Sequence, residues 1–281
     1  MEIRINGKTA DIIIEQEETL GQIIAGLDTL LSESNHWFTG FSVDGEKADS
    51  SSMEEAFSKK ISSVKILDVY TQPLADFFAI CLFDLLGDIK EYEDSGSAEK
   101  NNFYEDWKER ASSLFAQEQM PDLFSLYENT FKGRGVNLED LRGITEERLR
   151  EVKEPAVEIK RIKPAIDEIC ESLVNLPLDI QTGKDKRAAE TIQFFTAVAE
   201  KIFRIFRQLD FQGYVTHGET PVTRLIGEFG AAVKELLDAY ERHDTVLVGD
   251  LAEYEVAPRM KELYNSLNDE IEQNSGEAAE V

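Results

Sequence analysis

The chain has 281 residues, 42% of them hydrophobic, which is enough apolar content for more than one packed domain. A formal net charge of −26 and a pI near 4.5 repel phosphate backbones and anionic bilayers, arguing against direct nucleic-acid binding and membrane attachment. Two isolated cysteines, Cys81 and Cys170, form neither a disulfide framework nor a four-ligand zinc site and are read as small core residues.

In chain order, Met1 to Asn6 alternates, and Asn6-Gly7 supplies the positive φ values of a two-residue hairpin turn. A second strand is expected over Lys8–Glu15, with Ile12, Ile13 and Ile14. Thr19-Leu20-Gly21-Gln22 is a capping box, so a helix follows whose Leu20, Ile23, Ile24, Leu27, Leu30 and Leu31 make one apolar stripe. Trp37–Val43 is a strand, Asp44-Gly45 a turn, Ser52-Met53-Glu54-Glu55 a second capping box, and Ser63–Val69 a closing strand. With its first residues in a strand, the chain shows no secretory signal and is expected in the cytoplasm.

This order and spacing resemble the ubiquitin-like β-grasp family over the first quarter of the chain. The resemblance implies a final strand parallel to the first at the sheet centre and a scaffold used for binding. Tyr70-Thr71-Gln72 stands where a conjugated domain ends in Gly-Gly, so conjugation is not implied.

Pro73 opens a helix whose Leu74, Phe77, Phe78, Cys81, Leu82, Leu85, Leu86 and Ile89 form one wide apolar face. The apolar run Leu74–Leu86 is too short to cross a bilayer and carries Asp76 and Asp84. Glu91–Asn102 reads as a flexible connection, and shorter helices are expected over Phe103–Gln117, Pro121–Phe131 and Leu138–Val152. Pro155 starts a helix that Pro164 bends and Pro177 helps to end. Lys184–Leu209 is apolar around most of its circumference, and Thr220-Pro221 caps a further helix. Within that helix Gly227 and Gly230 suggest close approach of another backbone. A last helix from Asp244 is kinked or divided by Pro258 and frays from Asn268.

The fold expected is α+β: a β-grasp domain at 1–72, a helical connecting region at 73–153, an antiparallel helical bundle at 154–267 and an acidic flexible tail at 268–281.

Candidate chemistry is sparse. His36, His217 and His243 are far apart and lack the spacing of a di-iron bundle, and His217 reads as a solvated loop residue. Gly133-Arg134-Gly135 and Gly183-Lys184 fall short of dinucleotide and phosphate loops and read as interhelical turns. Two clusters carry the functional hypotheses. Asp244, Asp250, Glu253 and Glu255 sit within about three helical turns, a pattern that reads first as the acidic face of an acidic protein, with a metal site as the alternative. Between Lys184 and Phe211 six basic residues outnumber four acidic ones, so Lys184, Arg187, Lys201, Arg204 and Arg207 are candidates for holding an acidic partner, or for internal ion pairs.

Leu176–Asp185 and Asp244–Glu255 together look similar to uncharacterised helical proteins of bacteria, a resemblance that implies no activity. The leading expectation is a cytoplasmic, non-catalytic adaptor or chaperone-like protein with a protein partner and no implied cofactor. The alternatives are a metal- or small-ligand-binding protein, an enzyme included, that uses the Asp244–Glu255 carboxylates, and an acidic mimic of nucleic acid.

Overall fold

A computed structural model describes residues 1–14, 17–48, 52–215, 218 and 220–277, so His217 lies outside the described residues. The chain divides into two compact units, Met1–Leu141 and Arg142–Val281. The architecture is α+β, with a mixed five-stranded sheet followed by a mostly helical region.

The first unit begins with β1 (Glu2–Ile5), β2 (Lys8–Thr9), α1 (Leu20–Glu33), β3 (His36–Val43), β4 (Glu46–Lys47), α2 (Met53–Ser58) and β5 (Ile66–Pro73). The sheet order is β2-β1-β5-β3-β4, with β1 parallel to β5 and the remaining pairs antiparallel. Both expected turns have positive φ at each central residue, +50° and +78° at Asn6-Gly7 and +52° and +92° at Asp44-Gly45. Their side chains also hold the strands. Asp44 Oδ1 accepts the backbone N–H groups of Lys65 and Ile66 at 2.9 and 2.8 Å, and the Asn6 side chain exchanges hydrogen bonds with Thr71.

Leu20, Ile23, Ile24, Leu27 and Leu31 of α1 are buried with Phe41, Leu67 and Val69 of the sheet. Leu30, two turns after the buried Ile23, lies at the edge of that stripe and stays 55% exposed. The second strand is shorter than expected and stops at Thr9. Ile12 and Ile14 still pack on the core while Ile13 points outward, so their period of two survives outside the ladder. At the start of α1, Gln22 Oε1 accepts the N–H groups of Glu18 and Thr19. Ser52, by contrast, has helical dihedrals and makes no cap bond to α2.

The rest of this unit comprises α3 (Leu74–Asp94), α4 (Ser97–Trp107), α5 (Ala111–Gln119) and α6 (Pro121–Phe131). The flexible connection expected over Glu91–Asn102 is helical except at Ser95 and Gly96, where the Glu99 carboxylate accepts the Gly96 N–H. Trp107 explains the break between α4 and α5. Its fully buried indole donates to Asp88 at 3.0 Å, and the turn after it brings Arg110 onto both Asp88 and Glu91. Trp37 of β3 stacks on Phe77 of α3 at 5.2 Å and meets Phe115 of α5 edge-on.

Helix α7 (Leu138–Lys153) leads into the second unit, which continues with α8 (Pro155–Arg161), α9 (Lys163–Gln181), α10 (Asp185–Phe211), α11 (Pro221–Glu241), α12 (Thr245–Asp250) and α13 (Ala257–Glu277). Pro164 coincides with a break at Ile162 rather than a bend. Pro177 lies inside α9, which continues to Gln181, and Gly249 of α12 packs on its ring; a Cβ there would approach to 3.1 Å. Gly227 has nothing within 4 Å of its missing side chain, and Gly230 faces the Phe203 ring, so neither admits a neighbouring backbone among the described residues. A π-helical turn spans Leu251–Val256 just before Pro258, and α13 starts at once at Ala257.

The end expected to fray from Asn268 is helical to Glu277, because Ile271 repeats the Leu267 stripe one turn later and is 2% exposed. Ile271→Ala should therefore lower stability by about 2–4 kcal/mol in urea denaturation, where a frayed end would give a change below about 0.5 kcal/mol.

Candidate functional site

The basic residues of α10 face carboxylates of their own unit. Lys201 and Arg204, three apart on one helix face, meet Glu147 and Glu151 of α7 and Glu158 of α8. Arg204 Nε and Nη2 donate to the two oxygens of Glu151 at 2.9 and 3.1 Å, a fork on a carboxylate only 2% exposed. Lys201 Nζ donates to Glu147 and lies 3.8 Å from Glu151 and 3.7 Å from Glu158. Glu158, 1% exposed, also accepts from Arg161, with Arg150 at 3.8 Å. At the start of α10, Lys184 Nζ and Arg187 Nε each lie 3.0 Å from the buried Asp179 carboxylate. Arg207 places its guanidinium over the Phe211 ring at 6.0 Å. Lys184, Arg187, Lys201 and Arg204 thus hold carboxylates inside the chain.

Burial pushes the Glu151 carboxyl up to about 7, with Glu147 and Glu158 adding to the rise while Arg148 and Lys201 pull against it. Deep burial likewise raises the thiols of Cys81 and Cys170, to about 12 and about 11, which suits inert core residues.

The acidic stretch is dispersed. Asp244 caps α12 by accepting the Leu247 N–H at 3.1 Å, and Glu255 pairs with Arg259 one turn on. Glu253 bonds the Tyr254 phenol and raises its pKa, while Asp250 is exposed at the end of α12. Among the described residues no three His, Cys, Asp or Glu side chains are grouped to hold a metal ion, so Asp244, Asp250, Glu253 and Glu255 are not brought together as a site.

What the sequence did not disclose is a groove in the second unit. The end of α9 (Leu176, Ile180), the start of α10 (Asp185, Ala188, Ala189, Ile192), the end of α11 (Tyr240), the following His243 and the start of α12 (Thr245, Val248) enclose a cavity of about 210 Å³. Its floor is apolar, and its polar groups, Asp185, Tyr240, His243 and Thr245, are exposed. The α10 wall is lined by two small side chains, Ala188 and Ala189, ahead of Ile192. That pair of small residues was the available signal. An apolar cleft with a few polar groups along it is the usual form of a binding site.

Residues 1–73 match the family described as the TP0873 N-terminal domain. Residues 158–266, which contain the groove, match a domain of unknown function, DUF8042. No curated protein and no solved structure matches the chain.

Two measurements check the ion-pair network. Arg204→Ala strands a buried carboxylate and should cost about 3–5 kcal/mol in urea denaturation, while Arg187→Ala, at a more exposed pair, should cost about 1 kcal/mol or less. Because the Glu151 carboxyl titrates higher in the folded chain than its usual 4.5, its contribution is greatest below pH 4.5 and is lost as pH rises through about 7. The stability of the wild type relative to Glu151→Gln should fall across that window, and a flat difference would contradict the shift.

Proposed function

We propose that the protein is a non-catalytic, cytoplasmic adaptor or chaperone-like protein that binds another protein through its helical unit. The apolar groove between the ends of α9 and α11 and the starts of α10 and α12 carries this reading. It offers burial to a guest side chain, and the polar groups around it offer hydrogen bonds that fix the guest's orientation.

The engagement of Lys184, Arg187, Lys201 and Arg204 with internal carboxylates supports placing the contact at the groove rather than along the basic face of α10. In this reading the second unit is an antiparallel bundle that holds the groove walls, and the first 72 residues are a β-grasp module. The central parallel pair β1 and β5, with α1 packed on the same core, supports the latter.

Filling the groove tests the proposal. Affinity purification from native lysate should retain a stoichiometric protein on the wild-type chain and lose it on Ala189→Trp, with both chains unfolding at similar temperatures. Equal retention by the two would move the contact elsewhere, and retention of no protein by either would end the adaptor reading.

A further inference from the structure

Four helices end in the same hydrogen-bonded turn, in which one N–H returns to the carbonyl three residues back and the next N–H to the carbonyl five back. After α6 these are Gly133 to Thr130 and Arg134 to Asn129; after α9, Gly183 to Ile180 and Lys184 to Asp179. After α10 they are Gly213 to Asp210 and Tyr214 to Leu209; after α11, His243 to Tyr240 and Asp244 to Ala239. The turn residue has φ of +70°, +70°, +73° and +56° in that order. Three of the four use glycine, which adopts this region without strain. The fourth is His243. The other described non-glycine residues with positive φ are Asn6, Asn35 and Asp44, whose short polar side chains tolerate it.

His243 is therefore held in a disfavoured conformation at the one such turn that also lines the groove. Among the described residues its imidazole makes no hydrogen bond or ion pair within the chain, and neither do the side chains of Asp185, Tyr240 and Thr245 around it. Of the neighbouring cations, Lys184 and Arg187 face Asp179, Lys186 lies 3.5 Å from Glu190 in an exposed pair, and Arg242 donates to the Asp238 carbonyl. The groove thus presents an unpaired carboxylate on a chain of charge −26. Its volume of about 210 Å³ is below the ~300–1,000 Å³ of small-molecule pockets and somewhat above the ~150 Å³ of a cavity that holds a single benzene ring.

We infer that the groove docks one branched aliphatic or aromatic side chain from a basic segment of a partner protein, with Asp185 meeting the segment's positive charge and His243 hydrogen-bonding its backbone. This rests on the adaptor reading and specifies its partner.

The test uses the full chain and dye-labelled, capped seven-residue peptides in fluorescence anisotropy at about 0.15 M salt, where free surface charges are screened beyond about 8 Å. The first peptide has a central leucine between two lysines on each side; the second replaces leucine by serine, and the third replaces the lysines by glutamates. The leucine–lysine peptide should bind at least about tenfold more tightly than either control and lose binding on Ala189→Trp, since burying one such side chain contributes about 1.5–3 kcal/mol. His243→Gly should weaken it about fivefold, as for one lost hydrogen bond, while raising the unfolding temperature by about 2 °C as the strained turn relaxes. That opposite movement separates a recognition role from a purely structural one. Equal binding of the leucine and serine peptides, unchanged binding by Ala189→Trp, or unchanged binding by His243→Gly would each overturn the inference. If lysate purification with the wild type and Ala189→Trp retains the same protein on both, the groove fails and the adaptor survives; if neither retains a protein, the adaptor reading itself fails.

Discussion

The second unit is organised around two carboxylates that cannot stay buried alone. Glu151 and Glu158 are almost fully removed from water, and an ionised carboxylate there is tolerable only with cations and hydrogen bonds supplied by the fold. Helix α10 supplies them, with Arg204 as a two-pronged donor to Glu151 and Lys201 lying among Glu147, Glu151 and Glu158. This requirement orients α10: the helix has one rotation in which both cations meet α7 and α8 while Phe195, Ile202 and Ile205 enter the core. A hydrophobic stripe this wide would accept several rotations; the ionic face selects among them.

That selection shapes the groove. With α10 fixed along its length, Ala188 and Ala189 at its start face the end of α9 and the turn after α11. Small side chains leave the space, and Asp179 draws Lys184 and Arg187 away from it. The basic surplus of this stretch and the groove are consequences of the same sequence, one satisfied within the chain and the other open to a guest.

The sheet was legible because turn chemistry is local. Asn6-Gly7 and Asp44-Gly45 can scarcely be anything but tight turns, and the α1 stripe shows its period within a single helix. The helix after Thr220 was equally plain, since a hydroxyl cap and a proline act within one turn of chain; Thr220 Oγ1 accepts the Thr223 N–H at 3.1 Å. Errors came where tertiary contacts decide. Pro177 did not end α9, which runs on to Gln181 with Gly249 of α12 against the ring, and Glu91–Asn102 is helical except at Ser95 and Gly96, with Arg110 and Trp107 converging on Asp88. The groove was illegible for the same reason. Its walls come from four helices and a turn separated by up to 72 residues, and no local pattern reveals that Ala189 and His243 line one cavity.

A double-mutant cycle on Glu151 and Arg204, using Glu151→Gln, Arg204→Met and the pair in urea denaturation at pH 8, tests the central claim most directly. A coupling energy of about 2 kcal/mol or more, with the double variant more stable than Arg204→Met alone, is the predicted result. A coupling below about 0.5 kcal/mol would show that the cations of α10 do not hold the carboxylates of α7, and would return them to the surface as candidates for an acidic partner.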